Sequence, residues 1–349
     1  MNVIERLKQA INHEEVLPVP IALWNVAPWM PSMLGVKCKD YYLNSETKLN
    51  LLTRLQEVFP EAILFPGIYP DFGVVVEASA FGAELRWMDD DAPYAHGCLH
   101  DVEDILKLKP INPQVDGLMP KVLEEWSYLR KNAKPFLEKD YGYFEGHAFS
   151  IGPIETAAML RGYDKFFIDF FMNPTLVHKL LDVVTEGIIA WIKAQEKCNG
   201  KLDRLFVVDH VSTQLSPNHF DEFFKPYLTR IFHEFNYAGI RLWHNEGKSS
   251  HVYHKLPEIG FNVYHFGADP VADIKSAIGD KICLMGNLDP VKVVQKKTPE
   301  VIYDLATEAL KDGATRGGFL LSGGGGLAPN TKIENVRAIV DAAMAYKMK

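Results

Sequence analysis

Eight short apolar runs, separated by amphipathic segments, constrain this chain more than any other feature. They lie at 17–24, 62–67, 142–149, 204–210, 239–244, 261–266, 282–287 and 317–323. Each is nearly continuous in apolar residues and rich in Val, Ile and Phe, the pattern of parallel strands covered on both faces. The intervening segments carry a helical period. TPEV (298–301) is a helix start, with Thr298 as N-cap, Pro299 at the first helical position and Glu300 in the first turn. The longest helix is expected over 173–200, stopped at Asn199-Gly200. Eight strands alternating with helices predict an α/β fold, a (β/α)8 TIM barrel. It would be one domain over 1–349, with insertions in the first two βα loops, around 25–42 and 68–116. A doubly wound open sheet is the competing arrangement, but no GxGxxG follows the first strand.

The bulk numbers narrow the function classes. The chain has 349 residues, 47% of them hydrophobic, and a formal charge of −8. No basic footprint argues for nucleic acid. Cys38, Cys98, Cys198 and Cys283 lie far apart and form no CxxC pair, which suits a reducing compartment. The N-terminal segment reads as a charged amphipathic helix rather than a signal peptide. No apolar stretch approaches the roughly 18 residues of a membrane span. A cytoplasmic protein is expected, with no membrane partner.

In a barrel of this kind the active site forms where the strands end. The residues expected there are Trp24 and Asn25, Tyr69 and Asp71, Glu145 and His147, Asp209 and His210, His244 and Glu246, His265, Asn287 and Asp289, and Ser322 with the glycines after it. A single strand-end histidine is ordinarily a hydrogen-bonded structural residue. Several histidines converging with carboxylates from different strands favour a site, and imidazole with carboxylate suits zinc. His244 and Glu246 stand two apart at the end of GIRLW, so both project from one face of a strand or fan from its end. Glu145 has the alternative of pointing inward as an acceptor.

The run SGGGGLAPNT (322–331) carries two readings. Bare backbone N–H groups at Gly324 and Gly325 could bind an anion, or glycine could admit close approach of a large flat ligand. The segment KVVQKK (292–297) reads as solvated surface. Trp24, Trp29, Tyr69, Phe72 and Phe149 could line an apolar pocket for a planar substrate, though aromatic residues are also common in cores.

Several segments together resemble the uroporphyrinogen decarboxylase superfamily: GNLDP (286–290), SGGGGLAPNTKIENVRAIVDAA, SPNHFDEFFKPY after VVDH, and IGPIETAAMLRGYDKFFIDFFMNP. The likeness runs from LKQAINHEEVLPVP to the C-terminal helix and implies the barrel. It also implies one of two activities, tetrapyrrole decarboxylation or methyl transfer with a corrinoid protein. The decarboxylases meet an eight-carboxylate substrate with arginines after the first strand. Here that segment, LWNVAPWMPSMLG, has no Arg or Lys, so an octa-anion would lack its cationic partners.

GIYPDFGVVVEASAFGAEL is similar to the methyltransferase branch. Its thiol-methylating members hold zinc with a His-x-Cys pair and a distant Cys. This chain has His244-x-Glu246, and glycine at or beside Gly325 in place of the distant Cys. The resemblance therefore implies zinc on harder ligands: His244, Glu246 and His265, with Asp209 or His210 as other possible third ligands. Such a site suits an oxygen-bearing substrate. The expected function is O-demethylation, with a methyl group moving between a methoxylated aromatic compound and the cobalt of a corrinoid protein. Asp209, Glu246 and Asn287 are the catalytic candidates. Trp24, Asn25, Tyr69, Asp71, His147, His210, Gly324 and Gly325 are the substrate-binding ones. Two alternatives stand beside it. One is methyl transfer from methyl-corrinoid to tetrahydrofolate without zinc, with Asp209, Glu246 or Asn287 on the pterin; the other is decarboxylation of a small acid. The resemblance also implies pairing of two copies.

Overall fold

All eight runs become parallel strands in the computed structural model, which describes residues 3–347. In chain order they are β1 Ala22–Trp24, β2 Ile63–Phe65, β5 His147–Ile151, β6 Arg204–Val208, β7 Ile240–Asn245, β8 Val263–Phe266, β9 Cys283–Leu288 and β10 Phe319–Gly323. A small antiparallel hairpin, β3 Glu84–Arg86 and β4 Tyr94–His96, lies within the second insertion. Strands β5 to β10 form one six-stranded parallel sheet in sequential order, and β1 pairs in parallel with β2. The order never reverses, so the sheet has no switch point of the doubly wound kind.

The two sheets meet on one side. Ile21 forms a parallel bridge with Leu321, and the Leu321 N–H donates to the Pro20 carbonyl at 3.0 Å. On the other side no ladder joins β2 to β5 among the described residues. A side chain fills part of that seam: the Leu64 N–H donates to the Tyr143 hydroxyl at 2.9 Å. Tyr143 also lies so close to Gly67 that a Cβ there would meet its ring at 2.7 Å. The fold is α/β, with eight parallel strands in chain order, divided between a six-stranded and a two-stranded sheet that a single bridge links.

The apolar runs behave as doubly covered strands should. Every residue of β6, β8 and β10 is buried. The helix Pro174–Asn199 matches the longest expected helix and ends at Gly200 with φ 84°. Its buried stripe, Val177, Leu180, Leu181, Val184, Ile188, Trp191 and Ile192, has the i, i+3, i+4 spacing of one helix face. The helix Pro299–Gly313 begins where TPEV placed it. No helix among the described residues is long and apolar enough to cross a membrane.

One boundary differs from expectation, and it moves a residue from one end of the fold to the other. The run 142–149 is not a strand throughout. Gly142 (φ 63°) ends the helix Pro135–Tyr141, and Gly146 (φ 62°) makes a second left-handed turn. The strand starts only at His147, which pairs with Arg204, the first residue of β6. His147 therefore stands at the opening of β5, not at its end, and Glu145 lies in the preceding turn.

Candidate active site

His244 and Glu246 project from the end of β7 with Asn245 between them. Asn245 turns the other way: its amide donates to Ser212 Oγ at 3.2 Å, and its carbonyl accepts the Gly247 N–H at 3.0 Å. Strand alternation thus leaves His244 and Glu246 together on one side. His244 Nε2 and Glu246 Oε1 are 3.4 Å apart. Zinc–ligand bonds of about 2.0–2.1 Å in a tetrahedron place neighbouring ligand atoms roughly 3.3 Å apart, so this pair already has the right span.

His210, from the loop after β6, joins them. One ligand atom from each of His210, His244 and Glu246 lies within 4.8 Å of the others. The His210 ring stands edge-on to His244, with centroids 5.1 Å apart, and its buried Nε2 has no hydrogen-bond partner. The donor set, two imidazoles and a carboxylate, fits zinc with one position left for substrate.

The electrostatics put His244 and Glu246 in their metal-binding forms. Burial pulls the His244 pKa down to about 4, which the neighbouring carboxylate only partly opposes. Partial burial pushes Glu246, whose side chain stays about half exposed, upward. The hydrogen bond and charge of His244 outweigh that effect and hold Glu246 at about 2. At neutral pH the imidazole is neutral and the carboxylate ionised, as a metal ligand set requires.

The sequence offers His265, Asp209 or His210 to complete the pair, and of these three it is His210 whose ring nitrogen converges on His244 and Glu246. His265 Nε2 donates to the Gly323 carbonyl at 2.9 Å, which commits that nitrogen and fixes the tautomer. Its Nδ1 is buried without a partner and is not among the converging atoms. The His265 ring instead packs on His244 and Trp24, at centroid distances of 4.4 and 4.7 Å.

A cavity of about 110 Å³ opens onto the cluster. Trp24, Tyr42, Tyr69 and Phe149 supply its aromatic walls, and Asp71, His210, His244 and Glu246 its polar ones. Trp24 stacks on His244 at 4.3 Å and 26° between planes, which fixes the imidazole's orientation. No Lys or Arg is among the lining residues. Asp71 is buried, accepting from Tyr41 Oη at 2.9 Å and the Gly73 N–H at 2.8 Å. Burial raises its pKa, against the pull of those hydrogen bonds.

Other expected residues are held by the fold rather than presented to the cavity. Asn25 is fully buried and bonds Gly67 in both directions, at 2.7 and 3.0 Å, lacing the ends of β1 and β2. Asn287 donates its amide to the Asp269 carbonyl at 2.5 Å. Asp209 Oδ2 accepts the N–H groups of Ile154 and Glu155, at 3.1 and 3.4 Å, in the first turn of the helix Pro153–Arg161. Its burial and the charge of Glu155 push its pKa well above the usual carboxylate range. His147 is fully buried among Trp126, Phe206 and Tyr69. Its expected role at a strand end is corrected by its position at the start of β5.

Around the glycine run the close neighbours are parts of the protein itself. Glu246 Oε1 accepts the Gly326 N–H at 3.1 Å. A Cβ on Gly325 would fall 2.2 Å from that same oxygen. Gly324 packs on Gly267, whose Cα would lie 2.8 Å from a Cβ at 324. The backbone donor at Gly326 therefore meets a carboxylate of the chain itself.

Sequence reading missed Glu155 and Tyr42. Glu155 sits just after β5, which ends at Ile151, two residues beyond the apolar run 142–149. Tyr42 reaches the cavity from the first insertion, on a helix, Cys38–Leu43, with no strand to index it.

A model of the uroporphyrinogen decarboxylase (URO-D) family matches residues 2–346. The chain is 25% identical to a methylated-thiol–coenzyme M methyltransferase of Methanosarcina mazei over 276 residues, 78% of this chain and 71% of that protein. It is 26% identical to a uroporphyrinogen decarboxylase of Thermus thermophilus over 286 residues, 80% of this chain and 78% of that one. A methylcobamide:CoM methyltransferase of Methanosarcina acetivorans is 24% identical over 351 residues, with 98% of each chain covered. A solved structure of a methyltransferase from Methanosarcina mazei superposes with a TM-score of 0.81 at 22% identity, over 98% of both chains, a likeness of fold. The family resemblance read from the sequence is borne out: the chain belongs to the uroporphyrinogen decarboxylase family.

Proposed function

We propose that this protein is a corrinoid-dependent methyltransferase of an O-demethylation system, built on the family's (β/α)8 barrel. It would move a methyl group between a methoxylated aromatic compound and the cobalt of a partner corrinoid protein. The observation that carries this reading is the convergence of His210, His244 and Glu246 on the wall of an aromatic cavity. The relatives named as methyltransferases support the reaction class. The lack of Lys or Arg around the cavity argues against a substrate with many carboxylates.

His210, His244 and Glu246 would hold zinc, which when bound would supply Lewis acidity at the ether oxygen. The protein's own part is orientation and exclusion of water. Tyr69 and Phe149, with ring centroids 5.2 Å apart, form one wall against which an arene can pack. Trp24 keeps the His244 ring facing the carboxylate. The cluster holds no thiolate: the described cysteines lie outside it, and Cys38 and Cys283 are buried elsewhere. All-N/O ligation favours an oxygen substrate over a thiol.

The tetrahydrofolate alternative has weaker support. Asp209 and Asn287, which would grip the pterin, are engaged with backbone groups and do not line the cavity.

The test is demethylation of methoxyphenols with and without a corrinoid protein. Phenol release that requires the corrinoid protein and zinc is the expected result. Release without it, or methyl transfer to tetrahydrofolate by zinc-free protein, would overturn the reading.

A further inference from the structure

The first turn after β5 and the loop after β6 hold one another through two buried carboxylates. Asp209, from the loop, accepts the Ile154 and Glu155 N–H groups of the helix. Glu155, from the helix, returns the contact: its Oε2 accepts the N–H groups of His210 at 2.9 Å and Val211 at 3.2 Å. That oxygen also lies 3.7 Å from His210 Nδ1. The other oxygen, Oε1, accepts from the Tyr163 hydroxyl.

Glu155 is only 7% exposed, so these contacts form where water competes little. Burying two carboxylates side by side is unfavourable unless each has donors. Two backbone N–H groups reach Asp209, and two more with a hydroxyl reach Glu155. A helix start alone needs only the first half of this arrangement. The second half fixes the backbone of His210, which stands on the loop after β6 and has no strand directly before it in the way Glu246 has β7. His244 needs no such support, because β7 and the Trp24 stack already set it.

We infer that Glu155 is a positioning residue: its carboxylate sets His210 against His244 and Glu246 so that three ligand atoms converge. The inference rests on the metal reading above. Residues that hold a ligand in place in this way typically change metal affinity by about 10- to 100-fold when removed.

The experiment measures zinc affinity by chelator competition in wild type, Glu155→Gln, Glu155→Ala and Tyr163→Phe. Amide exchange of His210 and Val211 is followed in the same proteins without zinc. Glu155→Gln keeps a carbonyl oxygen able to accept both N–H groups, so it should bind zinc within about threefold of wild type and keep both amides protected. Glu155→Ala should weaken zinc by about 10- to 100-fold and deprotect both amides. Tyr163→Phe, which removes only the outer anchor, should weaken zinc by about two- to fivefold.

A folded Glu155→Ala protein that binds zinc as tightly as wild type would overturn the inference. So would a Gln variant as weak as Ala, since charge rather than the clasp would then be responsible. If Glu155→Ala does not fold, unchanged zinc affinity in Tyr163→Phe overturns it. Wild type that takes up no zinc is a different result: it removes the metal reading itself, and this inference with it.

Discussion

Two buried histidines stand at opposite ends of the parallel strands, His147 at the start of β5 and His244 at the end of β7. Exposure does not distinguish them: His147 is 0% exposed and His244 is 1%. Burial lowers both pKa values, to about 3 and about 4. Each packs against aromatic rings. What differs is the company of their nitrogens. The His147 ring packs among Trp126, Phe206 and Tyr69 with the Arg204 charge near it, and among the described residues no other metal-ligating side chain converges on it. His244 turns Nε2 to a carboxylate at 3.4 Å and shares its corner with His210. Neither burial nor a shifted pKa marks a site here; convergence of donors does.

The largest expected effect comes from exchanging one histidine at a time. His244→Ala should reduce corrinoid-dependent methyl transfer by more than about 100-fold, the upper end of what losing even an indirect ligand support costs. His147→Leu should leave the rate within about threefold, and steady-state assays of the two variants side by side decide it. Equal losses would erase the distinction.

Gly325→Ala probes the carboxylate. The added methyl would overlap Glu246 Oε1, so the carboxylate must move from its place beside His244. Zinc affinity should fall by about 10- to 100-fold. Overpacking should lower stability by only about 1–3 kcal/mol, and a calorimetric melt beside the metal titration separates the two effects.

Acid sharpens the comparison from the other side. Between the unfolded pKa near 6.5 and the native value of about 3, the unfolded chain takes up a proton at His147 that the native state refuses. Unfolding free energy therefore rises with pH across that window and falls as the solution is acidified, by up to about 1.4 kcal/mol per pH unit from this residue. Denaturant melts of His147→Leu between pH 6 and 4 should show a shallower slope than wild type; an identical slope would mean that His147 titrates normally.

Trp24→Leu is the smallest change. It removes the ring stacked on His244 and one aromatic wall, and should weaken methoxyarene binding by about two- to tenfold, measurable as KM.

The fold was largely legible because parallel strands buried on both faces leave continuous apolar runs, and all eight were found. The hairpin β3–β4 was not, since its three-residue strands are mostly exposed and carry no apolar run. β5 was placed early because Tyr143 and Phe144 are buried like strand residues, although Gly142 and Gly146 hold them in a turn. In the site, the i, i+2 spacing on a strand end was enough to pair His244 with Glu246. The sequence offers both His265 and His210 beside that pair, and nothing in it says that the His210 ring is the one that converges. That convergence depends on the loop path after β6, where Asp209 and Glu155 each accept the other segment's backbone N–H groups, and on a tautomer set by the Gly323 carbonyl.

X-ray absorption at the zinc edge, with metal quantified per chain, tests the central claim most directly. The account predicts about one zinc per chain in wild type and His147→Leu, with only nitrogen and oxygen neighbours near 2.0–2.2 Å, and none in His244→Ala. Folded wild-type protein that takes up no zinc, or a shell containing sulfur near 2.3 Å, would contradict it.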